Sequence, residues 1–282
     1  MSGLQNVANK WVLVTGAASG IGLSTARAFA KRGANVVLTD VNASMLSEAS
    51  DEIAVMGGKC LSVHCDVGSE SSVAECLVTL SREGIVPDVL INNAGIAFLG
   101  GFLETPLEQW RKILDVNVLG IVHMVRAFLP AMKASSGSRC IVNIASAAAY
   151  LPAPNMSAYA ASKGAVRQLS DVLAMELADS NVSVQCVYPG IINTPIVGSV
   201  KSVGSNITDA QLATLQGYYV KHGGSPDAVG EDIANAVLAN TAHVYTGPMS
   251  RLGNVVFRLS PAIARYVSRK AARSNGYLPA SA

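Results

Sequence analysis

Charge is scarce in this chain: Asp, Glu, Lys and Arg make up 14% of its 282 residues and leave a net of +2. A balance that small argues against nucleic acid or an anionic membrane as the main partner. The five cysteines (Cys60, Cys65, Cys76, Cys140, Cys186) form no C-x-x-C pair and are odd in number, so neither a zinc spacing nor a full disulfide framework is present. Most sit in apolar patterns, as reduced core residues of a cytoplasmic protein would. No metal site is expected. No apolar run reaches the roughly 20 residues that span a bilayer, and Met1 to Lys10 lacks the apolar stretch of a signal peptide. A soluble protein is expected. His64, His123, His222 and His243 stand in no triad-like context, which argues against Ser–His hydrolysis. No acid follows Asp232.

What is present is apolar and periodic. Hydrophobic residues make up 50% of the chain, enough for a sizeable core. Strand-length apolar runs alternate with segments of helical period, the pattern of βαβ units on a parallel sheet. The strands expected are Trp11 to Val14, Val36 to Thr39, Leu61 to Val63, Val89 to Ile91, Arg139 to Ile144 and Val182 to Val187. Helices are expected over Ile21 to Lys31, Ala43 to Met56, Leu107 to Lys133 and Ala158 to Ala178. The Gly-, Ser- and Val-rich stretch Ile191 to Asn206 has no firm pattern and suits a lid.

Two stretches carry chemistry. Thr15-Gly16-Ala17-Ala18-Ser19-Gly20-Ile21-Gly22 joins the first strand to the first helix with G-x-x-x-G-x-G spacing. Such glycines let backbone approach a pyrophosphate, and a helix N-terminus offers free N–H groups. Asp40, at the end of the second strand, stands where an acid accepts from adenosine ribose hydroxyls; an ordinary turn acid is the alternative. The second stretch runs from Ser146 to Lys163. Tyr159 and Lys163 are at i and i+4 on one helix face, and an ammonium favours the ionised phenol. Moving a tyrosine from ~10 to ~7 takes about 4 kcal/mol of differential stabilisation.

Thr15 to Gly22, Asn92-Asn93-Ala94-Gly95, Ser146, Tyr159-x-x-x-Lys163 and Pro189-Gly190 together resemble the short-chain dehydrogenase/reductase family over roughly Asn9 to Thr246. The resemblance implies a Rossmann-type, doubly wound parallel α/β sheet of about seven strands in a single domain, a nicotinamide cofactor, and hydride exchange with an alcohol or carbonyl. It assigns Gly16, Ser19, Gly20, Ile21, Gly22, Asp40 and Val41 to the cofactor, with Asp66 on the adenine amino group beside the Val67 backbone. Asn93, Ala94 and Gly95 would line the adenosine side. Pro189, Gly190, Ile192 and Thr194 would hold the nicotinamide end. Tyr159 would be the general acid/base, Ser146 a hydrogen-bond partner of the substrate oxygen, and Lys163 a ligand of the nicotinamide ribose. Asn117 would hold a water linking Lys163 to solvent. Structural alternatives stay open for Asn92 (turn), Asn117 (buried amide) and Thr194 (cap before Pro195).

Family members that use NADP often carry Arg or Lys where this chain has Ser19 and Val41, and Asp40 would repel a 2′-phosphate. NAD(H) is the expected cofactor, with an NADP-dependent carbonyl reductase, or a nucleotide-sensing protein without turnover, as alternatives. The substrate walls expected are Ile96 to Leu99, Ala147 to Pro152 (Tyr150 included) and the 191–220 segment. Few charges lie there, which suits an apolar secondary alcohol or ketone. Pairing of the two long helices, as in the family, implies a homodimer or homotetramer. Residues 1–250 make the catalytic domain and 251–282 a basic helical extension, where the family's usual Asp-Gly-Gly is missing. Ser260-Pro261 starts a helix with Ile263, Tyr266 and Val267 on one face. Packing on a subunit is the favoured role for that helix, contact with an anionic membrane the alternative.

Overall fold

Alternate residues of each inner strand belong to opposite cores, and that period of two sets the architecture. In the computed structural model, which describes residues 3–56, 58–198, 203–274 and 278, the first strand is β1 (Trp11–Thr15). Val12 and Val14 of β1 enter one core cluster and Leu13 the other. Val36 and Leu38 against Val37, and Val89 and Ile91 against Leu90, repeat the split in β2 (Asn35–Asp40) and β4 (Val89–Asn92). A sheet buried on both faces is what near-continuous Val, Ile and Leu runs build. With β3 (Cys60–His64), β5 (Arg139–Ile144), β6 (Val182–Pro189) and β7 (His243–Thr246), the order is β3-β2-β1-β4-β5-β6-β7, every pair parallel.

Helices α1 (Gly20–Ala30) and α2 (Ala43–Ala54) cover one face. Helix α3 (Glu70–Arg82), then α4 (Leu107–Leu114) running through a π turn at Asp115–Leu119 into α5 (Gly120–Ala134), and α6 (Ser157–Glu176) lie on the other side. The short α7 (Pro195–Gly198) and α8 (Asp209–His222) follow β6; α9 (Pro226–Ala239) packs on α1. The chain ends in α10 (Ser250–Leu259) and α11 (Pro261–Ser274), packed on each other.

The expected strands all form, and β7 closes the sheet. Three helices absent from the sequence reading are α3, α8 and α9. Their starts were nevertheless written in caps: Ser69 accepts from Ser72 N–H, Thr208 and Gln211 form a capping box, and Ser225 precedes Pro226. The expected single helix over Leu107 to Lys133 is interrupted where Gly120 N–H reaches back five residues to the Asp115 carbonyl. The expected loop from Ile191 to Asn206 contains α7, and Val203 bridges to Leu99; its residues 199–202 fall outside the described residues.

Sequential order reverses between β1, whose chain continues outward to β2, and β4, which starts the other half. In open parallel sheets the crevice at the carboxyl ends of strands at this switch point takes the ligand. Both chemical stretches end there.

Candidate active site

The loop after β1 is built for close approach. Gly16 has φ +62°, and a Cβ there would lie 2.9 Å from the Ala94 Cα; a Cβ on Gly22 would lie 2.1 Å from the Gly16 carbonyl oxygen. Thr15 Oγ1 receives the N–H groups of Asn93 and Ala94, both at 3.0 Å, while Asn93 Nδ2 donates to the Thr15 and Gly16 carbonyls at 2.9 and 3.1 Å. The Asn93 side chain is therefore a clamp on the phosphate loop. Ser19 ends the loop in extended conformation without a side-chain cap, so the first-turn N–H groups of α1 at Gly20, Ile21 and Gly22 stay open to an anion. Gly20 (φ +54°) faces Thr194, whose Cβ and Cγ2 would lie 3.5 Å from an added Cβ. The β1 loop and the segment after β6 thus come together at the carboxyl end of the sheet.

At the end of β2 beside this loop, Asp40 Oδ2 accepts from Ala18 N–H (3.1 Å) and Oδ1 from Asn42 N–H (2.9 Å). The carboxylate is fixed beside the loop, with exposed Val41 next to it. Asp66 Oδ1 accepts from Gly68 N–H at 2.9 Å, and the Val67 carbonyl meets His123 Nδ1 at 2.9 Å. Gly190 is pressed on the Pro248 carbonyl, 1.8 Å from where its Cβ would be; Ile192 is buried and bridges Gly224. Pro189 ends β6. An uncapped helix start, positive-φ glycines and a fixed carboxylate are the fittings that a dinucleotide requires.

Ser146 follows β5 in extended conformation and its Oγ accepts from Ala148 N–H at 3.1 Å, which turns the chain into a short 3₁₀ turn, Ala147–Ala149. Its hydroxyl also stands close enough to the Tyr159 phenol to favour the phenolate. One turn on along α6, Lys163 is 3% exposed, donates from Nζ to the Ile144 carbonyl at 2.8 Å, and stands 5.8 Å from the Tyr159 ring centroid. Fully buried Asn117 lies in the π turn, with Nδ2 donating to the Ile96 carbonyl and to Ser162 Oγ (both 3.0 Å) and Oδ1 accepting from Ile96 N–H (2.8 Å). Its amide thus pins the post-β4 loop to α6. A Cβ on Gly95 would sit 3.3 Å from Asn117 Oδ1 and 3.4 Å from Lys163 Nζ, so glycine keeps that gap open.

The electrostatics differ from the sequence reading. Burial pushes the Tyr159 phenol up to about 12, against the opposing pull of Ser146. Burial likewise brings the Lys163 ammonium down to about 8. In the protein alone desolvation sets both shifts, and the phenol stays protonated at neutral pH.

The walls also differ. Tyr150 is no wall: it is 3% exposed and donates to the Ser250 carbonyl at 2.7 Å. Phe98 is buried with Ile113 and Ala158, and Tyr218 pairs with His222. The apolar cluster around Tyr159 keeps Leu99 and, from the 191–220 segment, Ile207, Leu215 and Tyr219, and adds Met156 together with Ala272 and Leu278 from beyond α10. The extension also props the Ser146 turn from behind, because Gly253 of α10 lies where a Cβ would meet Leu151 Cδ1 at 2.2 Å. Distance in sequence hid both contacts.

Comparison with known proteins accords with this geometry. Residues 10–203 match the family model described as short chain dehydrogenase. Over 195 residues the chain is 40% identical to cyclopentanol dehydrogenase of Comamonas testosteroni, covering 69% of this chain and 77% of that one. It is 36% identical over 230 residues to the probable oxidoreductase EphD of Mycobacterium tuberculosis (strain ATCC 25618 / H37Rv), covering 80% of this chain but only 39% of that longer protein. A short chain dehydrogenase/reductase from Burkholderia phymatum, solved in complex with NAD, superposes with a TM-score of 0.81 at 27% identity, covering 99% of this chain and 100% of that one. On the family match and these relatives, the chain belongs to the short chain dehydrogenase family.

Proposed function

We propose that the protein exchanges a hydride between NAD(H) and an apolar secondary alcohol or ketone, with Tyr159 as general acid/base. The observation that carries this reading is the meeting of the Ser146 and Tyr159 hydroxyls at the end of β5, inside an apolar cluster and one turn from a buried lysine. Bound in the crevice, the nicotinamide supplies the hydride acceptor or donor. Ser146 holds the substrate oxygen by a hydrogen bond, and Tyr159 takes its proton in oxidation or returns it in reduction. Lys163 binds the nicotinamide ribose and lends its charge to the phenolate. Asn117 fixes the post-β4 loop against α6 and keeps the Lys163 side of the site in register.

Asp40, with Val41 and no Arg or Lys beside it, supports NAD over NADP, since a 2′-phosphate would meet a carboxylate. The likeness to cyclopentanol dehydrogenase supports a cyclic or otherwise apolar alcohol, as do the aliphatic and aromatic walls. Residues 1–250 form the catalytic unit in this reading, and five free cysteines suit a cytoplasmic setting. The apolar side chains that α4, the π turn and α6 expose (Leu107, Leu114, Leu119, Val172 and Met175) suit pairing with a second copy.

The test is NADH formation with a panel of cyclic and acyclic secondary alcohols. Tyr159→Phe should lower turnover by about a thousandfold while NADH still binds, read by its fluorescence. Undiminished turnover in that variant would remove Tyr159 from the reaction.

A further inference from the structure

Charge is divided unevenly along the molecule. Residues 1–250 hold all 19 acids and 15 of the 21 Lys and Arg, a net of −4, whereas 251–282 hold six cations and no acid. Those six, Arg251, Arg258, Arg265, Arg269, Lys270 and Arg273, lie exposed on α10 and α11 and enter no ion pair among the described residues. Apolar side chains are exposed on the same two helices. On α10, Leu252, Val255 and Leu259 are 63%, 46% and 82% exposed at i, i+3 and i+7, opposite buried Gly253 and Asn254. On α11, Ile263, Tyr266 and Val267 are exposed opposite buried Ala264 and Ala272, with Arg265, Arg269 and Arg273 spaced four apart along one flank.

We propose that α10 and α11 form a docking surface for anionic phospholipid. Apolar side chains would enter the headgroup boundary while the guanidinium groups meet lipid phosphates, the division of labour of interfacial helices. Two copies of this chain meeting through the same face would set six cations against six, which disfavours a second copy as occupant. The inner face of the pair is already occupied, because Ala272 packs in the apolar cluster around Tyr159 and the Ser250 carbonyl holds Tyr150. The outer face therefore lies one helix away from the substrate walls. The sequence alone favours subunit packing for α11; the proposal departs from that preference on the exposed cations and the apolar stripe.

The full chain should sediment with vesicles containing about 30% phosphatidylserine at about 0.1 M salt, and far less with pure phosphatidylcholine or at about 0.5 M salt. The variant R265Q/R269Q/R273Q should lose about a hundredfold in partition, at roughly fivefold per cation removed. I263S/Y266S should also release the protein. Circular dichroism of both variants should match the parent, so that lost binding is not lost fold. Equal binding to neutral and anionic vesicles, no binding to either, or a change of oligomeric state as the only effect of these substitutions would overturn the proposal. Because sedimentation needs no turnover, it is decided separately from the hydride-transfer reading.

Discussion

The two halves of the crevice are held together by different physics. Around the β1 loop the parts are backbone and short polar side chains: Thr15 and Asn93 lock two loops with four hydrogen bonds of 2.9–3.1 Å, and glycines remove every Cβ in the way. Around Tyr159 the parts are apolar side chains from five places in the chain, including the C-terminal extension. A ligand shared by the whole family can be met by fixed backbone. A substrate that differs between members needs a wall that side chains can redraw, because loops and packed side chains tolerate change where a backbone cradle does not. The polar half should therefore be brittle and the apolar half tunable.

Glycine substitutions break that comparison most sharply. Gly22→Ala drives a Cβ to 2.1 Å from the Gly16 carbonyl, a backbone atom that cannot swing aside. It should cost about 1–3 kcal/mol of stability and weaken NAD(H) binding a hundredfold or more, read by thermal melting and NADH fluorescence. Gly164→Ala, one residue past Lys163 on α6, meets nothing within 4 Å. There the added methyl should stabilise the helix by roughly 0.5–1 kcal/mol and leave binding unchanged.

Cofactor choice comes next in size. Asp40→Ala with Val41→Arg removes the carboxylate next to the expected 2′-phosphate position and supplies a cation. The ratio of NADP to NAD efficiency should rise by tens of fold, measured as kcat/KM with each cofactor. An unchanged ratio would mean that the Asp40 carboxylate, held by Ala18 and Asn42 N–H groups, is only a loop brace.

A smaller effect is expected on the apolar side. Gly253→Ala places its methyl against Leu151 Cδ1, the end of a flexible side chain, so the turn carrying Ser146 shifts rather than breaks. Turnover should fall roughly tenfold, with NADH affinity kept, since a small misplacement of a reacting group costs rate more than cofactor binding. Equal losses in both would place the extension in the cofactor half instead.

The same contrast explains what could be read in advance. Glycines at fixed offsets after a strand, and Tyr159 and Lys163 one helical turn apart, are local patterns, so the β1 loop and the start of α6 stand in the sequence. The strands were legible because both faces are buried, leaving short unbroken apolar runs such as Val36-Val37-Leu38. Helix α8 was not, because it buries little beyond Leu215 and has no apolar stripe, although its capping box was there to be found. The π turn at Asp115–Leu119 depends on a five-residue hydrogen bond with no residue signature. Tyr150 looked like a wall because its partner, Ser250, lies 100 residues away. The phenol's upward shift was missed for the same reason: a lysine four residues on is visible in sequence, whereas the burial that raises the phenol is assembled from the whole chain.

That shift gives the comparison its finest test, because it joins the two halves through a proton. Without cofactor the Tyr159 phenol is held up at about 12 by burial, so a spectroscopic titration near 295 nm should show its phenolate, the difference between parent and Tyr159→Phe, only in strong alkali. Lys163 is brought down to about 8 by burial and loses its charge first as the pH rises. Adding the positive charge of oxidised nicotinamide must favour phenolate, and linkage makes the effect reciprocal: whatever NAD⁺ does to the phenol's proton, loss of that proton does to NAD⁺ binding. With the phenol's pKa lower in the NAD⁺ complex than in the free protein, affinity for NAD⁺ rises with pH between the two values, by less than tenfold per unit. NADH carries no such ring charge and should show no such rise. Parallel dependence of both affinities on pH, or a rise for NAD⁺ that survives in Tyr159→Phe, would mean that the proton and the cofactor do not meet at this tyrosine.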